Sequence, residues 1–320
     1  MSKVSKEDRG GTTYLNAPPS FKRPDGRWEH HVRQSDIERV RQCPELHRRS
    51  LYGLVEDRDN DSAVVGTCLH LAYAYMLGDV LGGGEPNISD ACEIALTKLT
   101  ELWPTCNNVQ IANLSIAQQQ IANCLRTFYV ELLPVAMKGE PIAVERQFDI
   151  KVYEDEERDL YIAGTSDLWL ESETWDFKHS TTSYLGSNAW KKQRYHPQPT
   201  VYQWARDMIE NGENVLAYPP DAEMLPFSFV VINREKYTSE VLKIERNVGH
   251  CRAILMECLA IATMIEAELK TWPLSPDDWH CSPDWCPAWS DCMGKHLGGD
   301  PWGSMERRRI NLIKMNRQKV

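Results

Sequence analysis

The sequence predicts a soluble α/β protein, and three observations carry that expectation. Apolar residues fill 42% of the 320 positions, enough for a sizeable core. Before residue 140 they recur at helical spacing. After Pro141 the period shortens to that of strands, and strand and helical patterns then alternate to about residue 270. The length suggests about two domains, or one large domain with insertions.

Residues 1–34, rich in Pro, Gly and charge, read as a flexible arm. Ser35-Asp36-Ile37-Glu38 is a capping box, with Ser35 as N-cap of a helix that runs to Cys43 and is interrupted at Pro44. A second helix is expected over Ala63–Leu81, stopped by Gly82-Gly83-Gly84. A third, Ser115–Leu133, carries Ile121, Leu125, Phe128 and Leu132 on one face and should end at Pro134. Residues 35–140 thus form a helical N-terminal part. Strands follow at Ile142–Ile150, Leu160–Leu170 and Thr174–His179, then a helix at Pro197–Ile209. Strands at Phe227–Ile232 and Glu240–Glu245 and a helix from His250 to Lys270 complete the core part, 141–270. Residues 271–302 hold five of the eleven Trp and three Cys with little periodicity, so something other than an apolar core must order them.

Thirty-six Lys and Arg stand against 46 Asp and Glu, a net charge of −10 that excludes a wholly basic nucleic-acid wrapper but not a local channel. The tail, 303–320, is different. Arg307, Arg308, Arg309, Lys314, Arg317 and Lys319 oppose only Glu306, which suits either a partner or phosphate contact or a solvated helix. The longest nearly apolar stretches, Leu69–Leu77 and Ile254–Ile265, fall short of the roughly 20 residues that span a bilayer. The N-terminus has no apolar h-region. No membrane helix is expected, a cytoplasmic location is, and the ten cysteines should be reduced or metal-bound.

Asp176-Phe177-Lys178 is an acid-x-Lys triplet of the kind metal-dependent nucleases use. Two other triplets occur, Asp149-Ile150-Lys151 and Glu268-Leu269-Lys270; the latter is read as helical, where i and i+2 do not share a face. On a strand Asp176 and Lys178 point the same way. With an even-length turn near Ser172-Glu173, Asp167 joins that face opposite Lys178; an odd-length turn would put it on the other. Two carboxylates, a backbone carbonyl and water suit Mg²⁺. The ion would polarise a phosphate and make hydroxide available, with a lysine offsetting developing charge. An exposed ion pair of little consequence is the alternative. His70, early on an apolar helix, and Gln198 and Tyr202, at i and i+4, each also admit an ordinary structural reading.

In order, Gly66-x3-His70, Gly164-Thr165-Ser166-Asp167, Asp176-Phe177-Lys178 and Gln198-x3-Tyr202 resemble the RecB-like branch of the PD-(D/E)XK nucleases over Cys43 to Cys292. The resemblance implies a restriction-endonuclease-like core, a central mixed sheet flanked by helices. It implies His70, Asp167 and Asp176 as ligands of Mg²⁺ or Mn²⁺, with the carbonyl of Phe177, and Lys178 as catalytic lysine. Gln198 and Tyr202 look like the DNA-positioning helix motif, and Glu145 sits where many relatives carry an acid. Lys191, Lys192 and Arg194 are candidate phosphate contacts. The implied activity is exonucleolytic, on single-stranded DNA ends in recombination, repair or phage DNA processing. The alternative is a non-catalytic DNA-end-binding subunit working with a helicase, recombinase or CRISPR integrase.

Cys281-x4-Cys286-x5-Cys292 lacks the C-x2-C knuckle of a zinc ribbon, and its wider spacing suits a [4Fe–4S] cluster, with zinc as the alternative. Cys43, before Pro44, occupies the place of the first cysteine in relatives with an iron–sulfur staple and completes the set by that resemblance. Trp279, Trp285 and Trp289 interleave the triplet as an apolar shell or as base-stacking surface. Cys68, Cys92, Cys124, Cys251 and Cys258 read as core residues, and Cys106 has no nearby partner in sequence.

Overall fold

A computed structural model describes residues 20–55, 60–106, 111–186, 189–276, 280–282 and 286–293. In chain order its principal elements are β1 (Ser20–Lys22), β2 (Trp28–Arg33), α1 (Gln34–Gln42), α2 (Pro44–Leu51), α3 (Asp61–Leu81), α4 (Ile88–Leu102), α5 (Leu114–Thr127) and α6 (Leu133–Lys138). There follow β3 (Pro141–Glu154), β4 (Arg158–Leu170), β5 (Thr174–Ser180), α7 (Ala189–Tyr195), α8 (Pro197–Asn211), β6 (Phe227–Asn233), β7 (Ser239–Ile244) and α9 (Val248–Glu266). The expected α/β architecture, a central mixed sheet flanked by helices, is what forms.

The sheet has seven strands in the order β1-β2-β4-β5-β6-β7, with β3 on β4 outside that path. Side chains alternate across it. On β6, Val230 and Ile232 enter a core with α3, α4, α5 and α6, while Phe227, Phe229 and Val231 enter a second core with α1, α8 and α9. Every residue of β6 is buried, as expected of a strand covered on both faces. Burying Phe177 or Phe229 contributes on the order of 2–3 kcal/mol each. Helices α3 and α9 are long and apolar enough to cross a membrane by length and composition; here their buried residues line these two cores.

The feature that makes a site is a fork on β4. Along one edge it pairs with β3 throughout. On the other edge β2 pairs in parallel with Arg158–Ala163, and β5 pairs antiparallel only at Leu168↔Trp175 and Trp169↔Thr174. Between them, among the described residues, Gly164–Asp167 pairs with no strand on that edge. Gly164 lets the Phe148 ring pack close to the strand there: a Cβ would meet that ring at 2.9 Å, so the ring would have to shift.

Several expectations are corrected. Residues 20–33 are not part of an arm: they are two strands held by buried polar pairs, among them His30 to Glu266 and His31 to Asp149, both at 2.8 Å. The N-cap of α1 is Arg33, not Ser35; its amide donates to the Asp36 carboxylate at 2.8 Å. Pro134 does not end a helix. A π turn over Phe128–Leu132 absorbs the break, and Pro134 sits in the first turn of α6, where its missing N–H costs nothing. Glu268-Leu269-Lys270 lies beyond α9 rather than in it.

Candidate active site

The turn after β4 has even length, so Asp167 and Asp176 share a face as the sequence allowed. The register differs from expectation by two residues: extending Leu168↔Trp175 sets Asp167 opposite Asp176, with Lys178 diagonal to it. The ladder does not continue to that pair. Instead Asp167 Oδ2 accepts the Phe177 amide at 2.7 Å, so a side chain replaces the backbone partner at the fork. A strand residue turns its N–H and C=O to the same edge. The Phe177 carbonyl therefore faces the gap too, where a ligand carbonyl was expected.

The gap joins groups from both faces of the sheet. His70, on α3, reaches Asp167 Oδ2 with Nδ1 at 3.3 Å. Glu145, on β3, stands level with Asp167 and takes a positive φ of 48°, a strained backbone for a non-glycine residue that sets its carboxylate beside the other two groups. Ligand atoms of His70, Glu145 and Asp167 all lie within 4.8 Å of one another. Asp176 is buried; its Oδ2 lies 2.8 Å from Lys178 Nζ and its Oδ1 accepts from Gln198 Nε2. The Lys178 ammonium also sits 5.6 Å from the centre of the Phe229 ring.

The electrostatics of the group follow from burial and crowding. Burial and the Asp167 carboxylate push the Glu145 carboxyl up to about 7, although the residue as a whole is exposed. Burial and Asp167 raise Asp176 to about 6 against the opposing pull of Lys178. Burial disfavours the His70 imidazolium, but Asp167 more than offsets this and lifts it to about 9. Burial also works against Lys178, yet Asp176 and Asp167 hold it above the usual lysine range. Carboxylates this crowded favour any cation, proton or metal. Buried oxygens without a hydrogen-bond partner, Ser166 Oγ and Gln198 Oε1, occur in the motif segments beside them. The donor set, one imidazole with three carboxylates and a carbonyl, fits a divalent ion of the Mg²⁺ or Mn²⁺ type.

A cavity of about 600 Å³ opens beside this group, lined among others by Gly66, His70, Glu145, Lys178 and His179. Sequence reasoning missed His179. It is held by the Tyr73 hydroxyl at 3.1 Å and packs edge-on to His70 at 5.5 Å. Burial and the neighbouring cations keep its imidazole well below the usual range, hence neutral. The signal in sequence was only its place after Lys178.

Gln198 and Tyr202, expected as the DNA-positioning helix motif, lie in the first two turns of α8. Both are buried: Gln198 supports Asp176, and the Tyr202 ring packs edge-on to Phe148 at 5.6 Å. Lys192 is half-buried with Nζ 4.7 Å from the centre of the Tyr184 ring, and the exposed Arg194 lies over Tyr195 at 5.4 Å. Lys192 borders a second cavity, of about 540 Å³, with Glu38, Arg41, Tyr195, His196 and His280. Lys191 is on the same helix, and its side chain lies outside the described residues.

The cysteines fall into two groups. Cys68, Cys124, Cys251 and Cys258 are buried in the cores, with Cys92 and Cys106 packed against one of them. Cys43 occupies the extended break between α1 and α2, and Cys286 and Cys292 flank a short turn at Trp289–Asp291. Burial raises the thiols of Cys286 and Cys292, and Cys43 adds to the effect on both. Cys281 is half-buried in the same segment. Glu45 ties that segment to α2: its carboxylate takes the Trp272 amide at 2.9 Å, and its own amide donates to the Pro273 carbonyl at 3.1 Å. Trp289 is buried there, while Trp279, Trp285 and the basic tail lie outside the described residues.

A family model described as the PD-(D/E)XK nuclease superfamily matches residues 31–293. No curated protein matches the chain. Among solved structures, the alkaline exonuclease LHK-Exo of Laribacter hongkongensis is 15% identical, with a TM-score of 0.26 over 48% of this chain and 81% of that one. Its complex with dAMP is 15% identical, with a TM-score of 0.28 over 63% and 91%.

Proposed function

The chain belongs to the PD-(D/E)XK nuclease superfamily, and from that premise we propose that it is a Mg²⁺- or Mn²⁺-dependent deoxyribonuclease acting on single-stranded or end-containing DNA. The observation that carries the reading is the convergence of His70, Glu145 and Asp167 within 4.8 Å, next to the pair of buried Asp176 and half-buried Lys178. A binding module has no use for two carboxyls, Glu145 and Asp176, raised by burial and by the neighbouring Asp167.

His70, Glu145, Asp167, Asp176 and the Phe177 carbonyl would hold the ion. When bound, it polarises the scissile phosphate and supplies hydroxide near neutral pH. Lys178 stays protonated beside Asp176, where it can orient the attacking water and offset charge on the pentacovalent phosphorus. Gln198, donating to Asp176 Oδ1, would hold that carboxylate in place for a bound ion. An imidazole among the ligands favours Mn²⁺ over Mg²⁺. Lys191, Lys192 and Arg194 on α7 are offered as phosphate contacts on one side of the centre. Cys43, Cys281, Cys286 and Cys292 are proposed to hold a [4Fe–4S] cluster that staples α2 to the C-terminal segment, offsetting the entropy of closing so long a loop. Zinc is the alternative occupant.

Purified protein with Mn²⁺ should degrade 5′- and 3′-labelled single strands and spare circular DNA. Cleavage of circles as fast as of linear strands would refute the requirement for an end. No cleavage of any DNA would favour the alternative, a non-catalytic subunit working with a recombinase, helicase or CRISPR integrase.

A further inference from the structure

We infer that Glu38, on a helix before the motif-bearing core, is a positioning residue of the catalytic centre: through His196 and Gln198 it fixes how Asp176 is presented. The inference rests on the reading above that Asp176 helps to hold a divalent ion. Helix α1 packs against α8, and Glu38 Oε1 lies 2.8 Å from His196 Nε2. His196 is the N-cap of α8, and its Nδ1 accepts the Gln198 amide at 3.3 Å. Those two contacts select one tautomer. Nδ1 can accept only when unprotonated, so the proton is on Nε2 and is donated to Glu38. Gln198, in the first turn of the same helix, donates from Nε2 to Asp176 Oδ1. A continuous run of hydrogen-bonding groups thus links α1 to a metal-holding carboxylate.

The His196 seat is firm on its other sides. Its ring packs edge-on to Phe229 at 5.0 Å, the same ring that Lys178 faces. Arg246 donates to the His196 carbonyl at 3.4 Å. The imidazole side chain is only 11% exposed. Burial, with Lys192 and Lys178 nearby, keeps it below the usual histidine range despite Glu38, which agrees with a neutral ring. An exposed ion pair contributes about 0–1 kcal/mol and has no means of reaching a metal site. This pair differs, because the second ring nitrogen caps the helix that carries Gln198.

The test is Mn²⁺ binding to the full-length protein by calorimetry, with melting curves and steady-state kinetics on labelled single strands, for Glu38→Ala, Glu38→Gln and His196→Asn. Glu38→Ala should weaken Mn²⁺ binding about tenfold or more, the usual effect of removing a group that orients a ligand. It should lower kcat while leaving KM for DNA within about twofold. Glu38→Gln keeps an oxygen that accepts from Nε2 and should stay within about threefold of wild type. His196→Asn keeps a good N-cap but cannot reach Glu38, and should bind Mn²⁺ as weakly as Glu38→Ala. Wild-type Mn²⁺ affinity in Glu38→Ala, or Glu38→Gln as weak as Glu38→Ala, would overturn the inference. Should Glu38→Ala fail to fold, the contrast between Glu38→Gln and His196→Asn decides in the same way. Calorimetry also reads the inference without any cleavage, so a wild type that binds Mn²⁺ but cuts no DNA defeats the nuclease reading alone.

Discussion

Loading the site with a divalent ion should expel between one and two protons at pH 7. His70, raised to about 9, is almost fully protonated there and must lose its proton to become a ligand. Glu145, raised to about 7, is half protonated, and Asp176, at about 6, is about one-tenth protonated. Together they release roughly 1.6 protons per ion. The sign follows: protons compete with metal, so affinity rises with pH, by about 40-fold between pH 6.5 and 7.5. Calorimetric titration of Mn²⁺ into the protein in two buffers of different ionisation heat counts the protons directly. His70→Gln removes the largest contributor and should lower the count to about one or fewer. A wild-type count below about 0.5, or an affinity flat across this range, would refute the reasoning that these groups crowd around one ion.

Two further outcomes test the scaffold. Arg48, the Trp272 amide and Arg49 overcome burial and hold the Glu45 carboxyl down at about 2, so it contributes up to about 3 kcal/mol of stability. That contribution is fully present above about pH 4.5 and is lost as pH falls toward 2. Glu45→Gln should unfold about 2–3 kcal/mol more easily in urea at pH 7, with the deficit shrinking below pH 4.5; a deficit independent of pH would assign the loss to packing. Fresh wild-type protein should be brown with about four irons per chain. Cys286→Ser should lose that iron and melt several degrees lower while keeping most of its Mn²⁺-dependent chemistry. Colourless wild-type protein holding one zinc would contradict the iron–sulfur cluster, and a Cys286→Ser variant with no metal and unchanged melting would contradict the staple.

Much of the fold was legible in local pattern. The strand at 160–170, the triplet strand at 174–179 and the helix from Pro197 each occur within a few residues of expectation. What local pattern could not supply was long-range pairing. Residues 20–33 look like an arm because the segment is rich in Pro, Gly and charge; they are strands because β2 pairs with β4 and its buried histidines meet Glu266 and Asp149 from far along the chain. Helix α4 was passed over because two of its three buried positions are alanines, Ala91 and Ala95, although Asn87 caps it with an Asx side chain. The register of Asp167 was undetermined by Glu171-Ser172-Glu173, and the fork on β4 settles it. Residue types pointed to His70, Asp167, Asp176 and Lys178, whereas the burial of Gln198 and Tyr202 depends on how α8 packs on the sheet, and the link through Glu38 on how α1 meets α8.

The central claim is that this carboxylate–lysine group cuts DNA. Its most direct test is the single-turnover rate on an end-labelled single strand with saturating Mn²⁺, wild type against Lys178→Ala, each first shown to have wild-type circular dichroism. Lys178→Ala should lose about 10³-fold or more in rate with DNA binding retained. A folded Lys178→Ala protein that digests the strand at the wild-type rate would contradict it.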